Sequence, residues 1–199
     1  LNLEIKTSTK HITKFKHGFI QRLMLVGETP MLRDNMEFIQ IIHVVVNKGR
    51  VGASSDGDLT VRNADEVTIY IGGYTDYLPT YPSFKGRDYE QVCENTISNA
   101  VAAGYEAVKK AHLEDVTSLI DRCQLDLSFE PSGLTTDKLL AQGESLELEN
   151  LYFNYARYLQ TACSRGTALP SNLQGIWNSY EVPMWNCDYH NDINIAMNY

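Results

Sequence analysis

Residues 169–178 read LPSNLQGIWN and residues 185–199 read WNCDYHNDINIAMNY, and these two stretches carry most of the information about fold and function. They combine Asn and Gln amides with one His, two Asp and two Trp, and they contain no Lys or Arg. Amides and imidazoles offer the donors and acceptors that hydroxyls need, and indole rings can cover the C–H faces of a sugar. An anionic ligand would call for basic residues or a glycine-rich nest. The composition therefore indicates a neutral, hydroxyl-rich ligand.

The bulk composition of the 199 residues is that of a soluble globular protein, with 43% hydrophobic and 21% charged residues. The formal net charge of -8 disfavours nucleic acid and acidic membrane surfaces as partners. No apolar run approaches the roughly 20 residues that would cross a bilayer. We therefore expect neither a nucleic-acid nor a membrane partner, and the sequence gives no indication of oligomeric state.

The four cysteines, Cys93, Cys123, Cys163 and Cys187, lie far apart in the sequence. Their spacing does not fit a zinc knuckle, and they are too few for a disulfide scaffold. The histidines of the N-terminal part are also too scattered to suggest a metal site. We expect free thiols, no metal and no cofactor.

The first eighty residues have the pattern of an antiparallel β-sandwich. Met36–Val46 is rich in Ile and Val, whose stiff side chains favour strands, and it ends at the turn signal Asn47-Lys48-Gly49. Short strands separated by turns at this spacing are typical of a sandwich. Further strands are predicted at Leu3–Thr7, Phe19–Val26, Leu59–Arg62 and Val67–Ile71, with a turn at residues 55–58 and a strand end at Gly72-Gly73.

After about residue 80, helical spacing of apolar residues replaces the strand pattern. Asp88 is a candidate cap for a helix over Tyr89–Ala103, and Gly104 separates it from a helix over Tyr105–Cys123. A strong amphipathic pattern predicts another helix over Leu146–Ser164. We also expect a short strand at residues 124–129, helix from Thr136, a long irregular segment over residues 165–189 and a helix that begins near Ile193.

Two motifs near the C-terminal end are specific enough to indicate a family. They are Leu169-Pro170-x-Asn172-Leu173-Gln174-Gly175-Ile176-Trp177-Asn178 and Tyr189-His190-x-x-Ile193-Asn194-x-x-Met197-Asn198-Tyr199. Both resemble glycoside hydrolase family 95, the inverting α-L-fucosidases with some α-L-galactosidases. Weaker similarity extends upstream over Ala64–Thr68, Gly104–Ala107, His112–Asp115, Leu151–Phe153 and Ser164-Arg165, so it covers nearly the whole chain.

The resemblance implies a mixed fold in three parts. Residues 1–80 would be the C-terminal part of an antiparallel β-sandwich, residues 81–134 a helical linker, and residues 135–199 the first helices of an (α/α)6 barrel. The chain would then be an internal fragment, with the general-acid Glu and the Asp that supports the base located beyond Tyr199. We expect such a fragment to be inactive and marginally stable alone, since half a barrel exposes apolar helix faces. The family also suggests a periplasmic or secreted protein.

The resemblance assigns roles to individual residues. In the family, an Asn amide polarised by a carboxylate positions and helps to deprotonate the attacking water, and by position this is Asn194. His190, Asp192 and Trp177 are the expected substrate-binding residues; Asp192 stands where the family usually has Asn. We expect the spacing of residues 190, 192 and 194 to direct all three side chains to one face of an extended segment.

The implied function is the removal of terminal α-L-fucose, α-1,2-linked, from a fucosylated oligosaccharide or glycan, with inversion. His190 favours fucose, because smaller polar residues at this position accompany L-galactose in the family. The alternatives are an α-L-galactosidase, a disaccharide phosphorylase and a non-catalytic glycan-binding remnant. The phosphorylase would need basic residues for phosphate, and the two motifs contain none.

Structural roles compete with functional ones for several of these residues. Trp177 and Trp185 could be packing aromatics instead of a sugar platform. Asn172 and Gln174 could satisfy backbone groups of the long irregular segment, since buried peptide groups must be paired. We expect His112 and Asp115 to make contacts between the linker and the barrel instead of taking part in catalysis.

Overall fold

The computed structural model describes residues 1–6, 12–19, 22–29, 36–53, 58–166, 169–180 and 182–199, with the backbone alone at residues 12–19, 28 and 29. It divides into two compact units, Leu1–Lys110 and Ala111–Tyr199. Together they contain antiparallel sheets and several helices, so the fold is mixed. None of the described helices is both long and apolar enough to cross a membrane.

Unit 1 contains two antiparallel sheets. The strands are β1 (Leu3–Ile5), β2 (Ile12–Phe19), β3 (Arg22–Thr29), β4 (Met36–Asn47), β5 (Arg50–Ala53), β6 (Leu59–Arg62) and β7 (Glu66–Thr75). Four strands form a sheet in the order β2-β3-β4-β7, and three form a sheet in the order β1-β6-β5. The prediction of β structure in the first eighty residues is therefore confirmed. β2 was not foreseen, and the turn expected at residues 55–57 lies outside the described residues.

The two sheets share a hydrophobic core. Leu23, Leu25 and Val44 of the four-stranded sheet are buried in one cluster with Leu59 and Val61 of the smaller sheet. The alternation of apolar residues along each strand turns these side chains to a common side. Between β4 and β5 the predicted turn is present, with positive φ at both Lys48 and Gly49 (53° and 76°). This short turn carries the chain from one sheet into the other.

Helix α1 (Tyr89–Ala103) covers the opposite face of the four-stranded sheet. Its buried residues Cys93 and Ile97 form a second core with Ile39 and Ile41 of β4. The start of the helix is capped by the Asp88 side chain, which accepts a hydrogen bond from the backbone N–H of Gln91 (3.3 Å). The predicted bounds of this helix are confirmed.

The prediction that a strand ends at Gly72-Gly73 is wrong, because β7 continues to Thr75. The reason is a close approach between strand and helix. A Cβ atom at Gly72 would lie 2.9 Å from Cδ1 of Ile97, so only glycine lets α1 sit this close to the strand. The glycine therefore serves tertiary packing, and the strand passes through it.

The helices that follow are α2 (Tyr105–Ile120), α3 (Thr136–Gln142), α4 (Leu146–Ser164) and α5 (Ile193–Asn198), with a left-handed turn within Met184–Cys187. The predicted bounds of α4 and the start of α5 are confirmed. The boundary between the two units lies within α2, between Lys110 and Ala111. The division into residues 1–80, 81–134 and 135–199 stays a prediction.

The strand expected at residues 124–129 is absent, and this part of unit 2 has irregular backbone. Side chains of α4 bind one carbonyl group of this segment and two carbonyl groups just before it. Asn150 donates to the carbonyl oxygen of Leu125 (2.6 Å), and Arg157 donates to the carbonyl oxygens of Ile120 (3.0 Å) and Cys123. A cationic side chain at the C-terminal end of α2 also complements the helix dipole.

Candidate active site

The first motif is held between α4 and the end of the chain. Ser171, which is 3% exposed, pairs with the side chain of Gln160 on α4 (2.9 Å from Nε2 to Oγ). The backbone N–H of Ser171 donates to the phenol oxygen of Tyr199 (3.3 Å), and the Asn198 amide donates to the carbonyl oxygen of Asn172 (3.4 Å). These contacts fix residues 171–172 against both α4 and α5.

Tyr199 is an acceptor in this arrangement. Hydrogen bonds from the Ser164 hydroxyl and then from Ser171 lower the pKa of Tyr199. Donors directed at a phenol oxygen favour its charged form, which is the physical cause of this shift. The contact is local and holds the end of α5 to the motif.

The side-chain amides of the first motif mostly form hydrogen bonds with nearby groups of the chain. The Asn172 carboxamide oxygen accepts from the backbone N–H of Gln174 (3.0 Å), and that of Asn178 accepts from the backbone N–H of Tyr180 (2.7 Å). The Gln174 oxygen accepts from the thiol of Cys187 (3.2 Å). The structural interpretation of Asn172 is thus confirmed, since its side chain satisfies the loop backbone.

A left-handed turn connects the two motifs. Trp185, Asn186 and Cys187 all have positive φ (55°, 52° and 54°), a conformation that costs L-residues roughly 1–2 kcal/mol each. The turn is closed by hydrogen bonds from Asn186 N–H to the Pro183 carbonyl (3.2 Å) and from Asp188 N–H to the Trp185 carbonyl (3.0 Å). Contacts from the first motif hold it in this shape.

The second motif does not form the extended segment that the sequence predicted. His190 has positive φ (47°), residues 191–192 form a turn, and Asn194 lies in the first turn of α5. Asp192 occupies the residue before the helix without a capping hydrogen bond from its side chain. The argument that alternation in a strand turns residues 190, 192 and 194 to one face is therefore wrong, while the roles of these residues stay predictions.

His190 and Asn194 are two half-buried polar side chains of the second motif, whereas Asn191 and Asp192 are exposed. The side chains of His190 and Asn194 make no hydrogen bond within the part of the chain that the structure describes. The backbone between them is fixed, because the N–H of Ile195 donates to the His190 carbonyl (3.4 Å). A half-buried amide and imidazole without internal partners can bind hydroxyls or a water molecule.

The two indoles differ in their surroundings. Trp185 is 71% exposed and packs edge-to-face with His190, at 6.3 Å between ring centroids and 75° between ring planes. Trp177 is 55% exposed and lies beside Gly175, and within the described residues it forms no ring pair. The structure thus brings Trp185, and not the predicted Trp177, against His190.

The other candidate residues have local structural contacts. Arg165 binds Asp115 through two hydrogen bonds (2.6 and 2.7 Å), which lower the pKa of that carboxyl, and His112 packs edge-to-face with Tyr158. All four cysteines are free thiols, as predicted, although Cys123 is exposed. No group of His, Cys, Asp and Glu within the described ranges could hold a metal ion.

Residues 104–199 match the family model described as the glycosyl hydrolase family 95 catalytic domain. A "Probable alpha-fucosidase A" of Aspergillus oryzae is 33% identical over 161 residues, covering 73% of this chain and 22% of that protein. The "Probable alpha-fucosidase A" of Aspergillus niger is 37% identical over 123 residues, covering 59% of this chain and 15% of that protein. "Alpha-L-fucosidase 2" of Arabidopsis thaliana is 30% identical over 176 residues, covering 82% of this chain and 21% of that protein.

The chain thus spans about a fifth of the length of these relatives. Two of the alignments cover more of this chain than residues 104–199 contain, so the similarity continues into unit 1. It includes both C-terminal motifs within the matched catalytic domain. This chain therefore belongs to glycosyl hydrolase family 95, and its residues 104–199 are part of that family's catalytic domain.

Proposed function

We propose that the full-length protein is an exo-glycosidase that removes terminal α-L-fucose, α-1,2-linked, from a fucosylated oligosaccharide or glycan with inversion. The observation that carries this proposal is the match of residues 104–199 to the family's catalytic domain, next to relatives named as α-fucosidases. The half-buried His190 and Asn194, whose side chains make no hydrogen bond among the residues that the structure describes, are the groups that would meet the sugar and the water.

Asn194 is the proposed catalytic residue. An amide has no useful basicity, so it can help to deprotonate water only beside a carboxylate. Inversion also requires a general acid on the other side of the sugar, with about 6.5–9.5 Å between the two carboxyl groups. The side-chain carboxylates of residues 182–199 are those of Asp188 and Asp192. We propose that the general acid is the Glu that the family resemblance implies beyond Tyr199.

Asp192 is proposed to bind a sugar hydroxyl together with His190. If so, Asp192→Asn in the full-length enzyme should change KM more than kcat, since uniform binding is lost without loss of transition-state stabilisation. A collapse of kcat at unchanged KM would instead assign Asp192 to the chemical step.

The central experiment is hydrolysis of 2′-fucosyllactose by the full-length protein, followed by proton NMR of the released sugar. We expect β-L-fucose as the first product, because inversion of an α-linkage gives the β-anomer. Asn194→Ala should abolish turnover, while Asn191→Ala, a change at an exposed amide nearby, should leave it within about threefold. Release of L-galactose alone from matched α-L-galactosides would support the galactosidase, and fucose binding without hydrolysis would support a binding protein.

The proposed architecture is the C-terminal part of a β-sandwich in residues 1–80, a linker in residues 81–134 and the opening of an (α/α)6 barrel in residues 135–199. The outward face of α4 supports the barrel, because Leu151, Tyr152 and Tyr155 are exposed there. Hydroxyl-radical footprinting should modify Tyr152 and Tyr155 in this 199-residue chain and spare them in the full-length protein. Equal modification of both would contradict the barrel.

A further inference from the structure

We propose that Trp185 forms an apolar wall of the sugar site, and that the terminal sugar packs its C–H face against the Trp185 indole while a hydroxyl binds the neighbouring His190 imidazole. The inference rests on the proposed glycosidase function and adds a substrate-contacting residue to it. The proposed aromatic contact is at Trp185, whereas the family motif predicts it at Trp177.

The first support is the geometry of the ring pair. The indole and imidazole planes stand at 75° with centroids 6.3 Å apart, so the two rings form a corner. Trp185 remains 71% exposed, and its indole therefore offers apolar surface beside a half-buried imidazole. A pyranose has this same division between apolar C–H faces and hydroxyl edges, so the corner matches its chemistry.

The second support is the rigidity of the turn that carries the indole. Three successive non-glycine residues, 185–187, hold positive φ, and such conformations persist only where the surroundings fix them. The Cys187 thiol donates to Gln174, and the backbone N–H of Leu173 donates to the Asp188 carbonyl (3.3 Å). A platform that is fixed before binding loses little conformational entropy when a ligand arrives.

The third support is the contrast between the two indoles. Trp177 is in the same unit and is also exposed, but it has no ring pair with His190 among the described residues. Solvent exposure alone does not distinguish the two indoles, because both are more than half exposed. The adjacency to the available imidazole distinguishes Trp185 and makes Trp177 a matched control.

The ligand class that fits this corner is a terminal 6-deoxyhexose. Its methyl group extends the apolar face of the ring, which an indole can cover, whereas a hydroxymethyl group there would lose a hydrogen bond that Trp185 cannot replace from its ring face. His190 would supply the polar contact next to this face.

The test uses the full-length protein with Trp185→Ala, Trp185→Phe and Trp177→Ala. Calorimetric binding of L-fucose is measured first, because it requires no turnover, and kcat and KM on 2′-fucosyllactose are measured alongside. We expect Trp185→Ala to weaken fucose binding and to raise KM about tenfold, with kcat within about threefold. Trp185→Phe should recover part of the loss, and Trp177→Ala should leave fucose binding within about threefold.

The results separate this inference from the proposed function. If Trp185→Ala left the affinity for fucose unchanged, or if Trp177→Ala reduced this affinity equally, the proposed contact between the sugar and Trp185 would be refuted. A fall in kcat and thermal midpoint at unchanged fucose affinity would make Trp185 a packing residue and would also overturn it. Absence of any glycoside hydrolysis by the wild-type protein would refute the proposed function alone, since fucose binding by the variants would still decide the role of Trp185.

Discussion

Gly72 offers a sharp test of the packing in unit 1. A Cβ atom there would lie 2.9 Å from Cδ1 and 3.0 Å from Cγ1 of Ile97, and 3.5 Å from Sγ of Cys93. Both neighbours are buried, so neither can move into solvent. Overpacking of a core costs roughly 1–3 kcal/mol, and replacing a strand glycine by alanine regains roughly 0.5–1 kcal/mol. Gly72→Ala should therefore destabilise the sheet by about 1–2 kcal/mol, or about 5- to 30-fold in its opening equilibrium.

Two further variants separate this clash from other effects of alanine. At Gly73 the nearest atom to a new Cβ is the Ile39 carbonyl oxygen at 3.7 Å, which is an ordinary contact. Gly73→Ala should therefore be neutral or slightly stabilising. Ile97→Ala would remove the atoms that clash, so the double variant with Gly72→Ala should lose less stability than the two single changes added together.

Hydrogen–deuterium exchange of peptides that cover β4 and β7 is the suitable assay, because it reports the opening of this sheet by itself. Tryptophan fluorescence would not do so, since the two Trp residues of this chain, 177 and 185, lie in unit 2. Equal exchange in the Gly72→Ala and Gly73→Ala variants would refute the close approach of α1 to the strand. Additive effects of Gly72→Ala and Ile97→Ala would do the same.

Two other predictions concern polar contacts. Burial, and then the nearby Arg22, lower the pKa of His43 in the folded protein below its ordinary value of 6.5. As the pH drops below 6.5, the unfolded state therefore binds more protons than the folded state. The stability that is present above pH 6.5 should then fall. The urea midpoint of unit 1, measured between pH 7.5 and 5, should decline, and His43→Gln should flatten this dependence. In unit 2, Arg157→Met removes the donor to the Cys123 carbonyl and should speed exchange of residues 121–125 by about tenfold, roughly 1.4 kcal/mol. Arg165→Met, which breaks an exposed ion pair, should change stability by less than about 1 kcal/mol, and a larger effect than that of Arg157→Met would contradict this ranking.

The elements that sequence analysis predicts best are those whose signals are local. Helices α1 and α4 begin and end where apolar spacing predicts, and the predicted cap at Asp88 starts α1, because a cap acts within one helical turn. The prediction that β7 ends at residues 72–73 is wrong, because glycines indicate a turn only where no tertiary contact requires them. The prediction of a strand at residues 124–129 is wrong, and Asn150 and Arg157 of α4, distant in sequence, bind the carbonyl groups of Leu125 within this segment and Cys123 just before it.

The geometry of the candidate site is even harder to predict from the sequence, because it depends more on tertiary contacts. The motifs identify His190 and Asn194 as residues of interest, but they do not give the backbone conformation that presents them. Asn and His tolerate positive φ better than most residues, so Asn186 and His190 carried a weak signal for a turn. Nothing in the sequence indicated that Trp185 and Cys187 would share this conformation, since it depends on contacts with the first motif.

The polar residues of the two motifs divide into those that build the site and those that remain available to a ligand. The side-chain oxygens of Asn172 and Gln174 accept hydrogen bonds from the loop backbone and from Cys187, and the Ser171 hydroxyl pairs with Gln160 of α4, so these groups help to hold the turn. Because these contacts hold the turn, the segment from Trp185 to Asn194 can keep a strained backbone while the His190 imidazole and the Asn194 amide make no hydrogen bond within the described ranges. A motif rich in amides is therefore not by itself a large binding surface; most of its amides fix the geometry of the few groups that would contact the substrate.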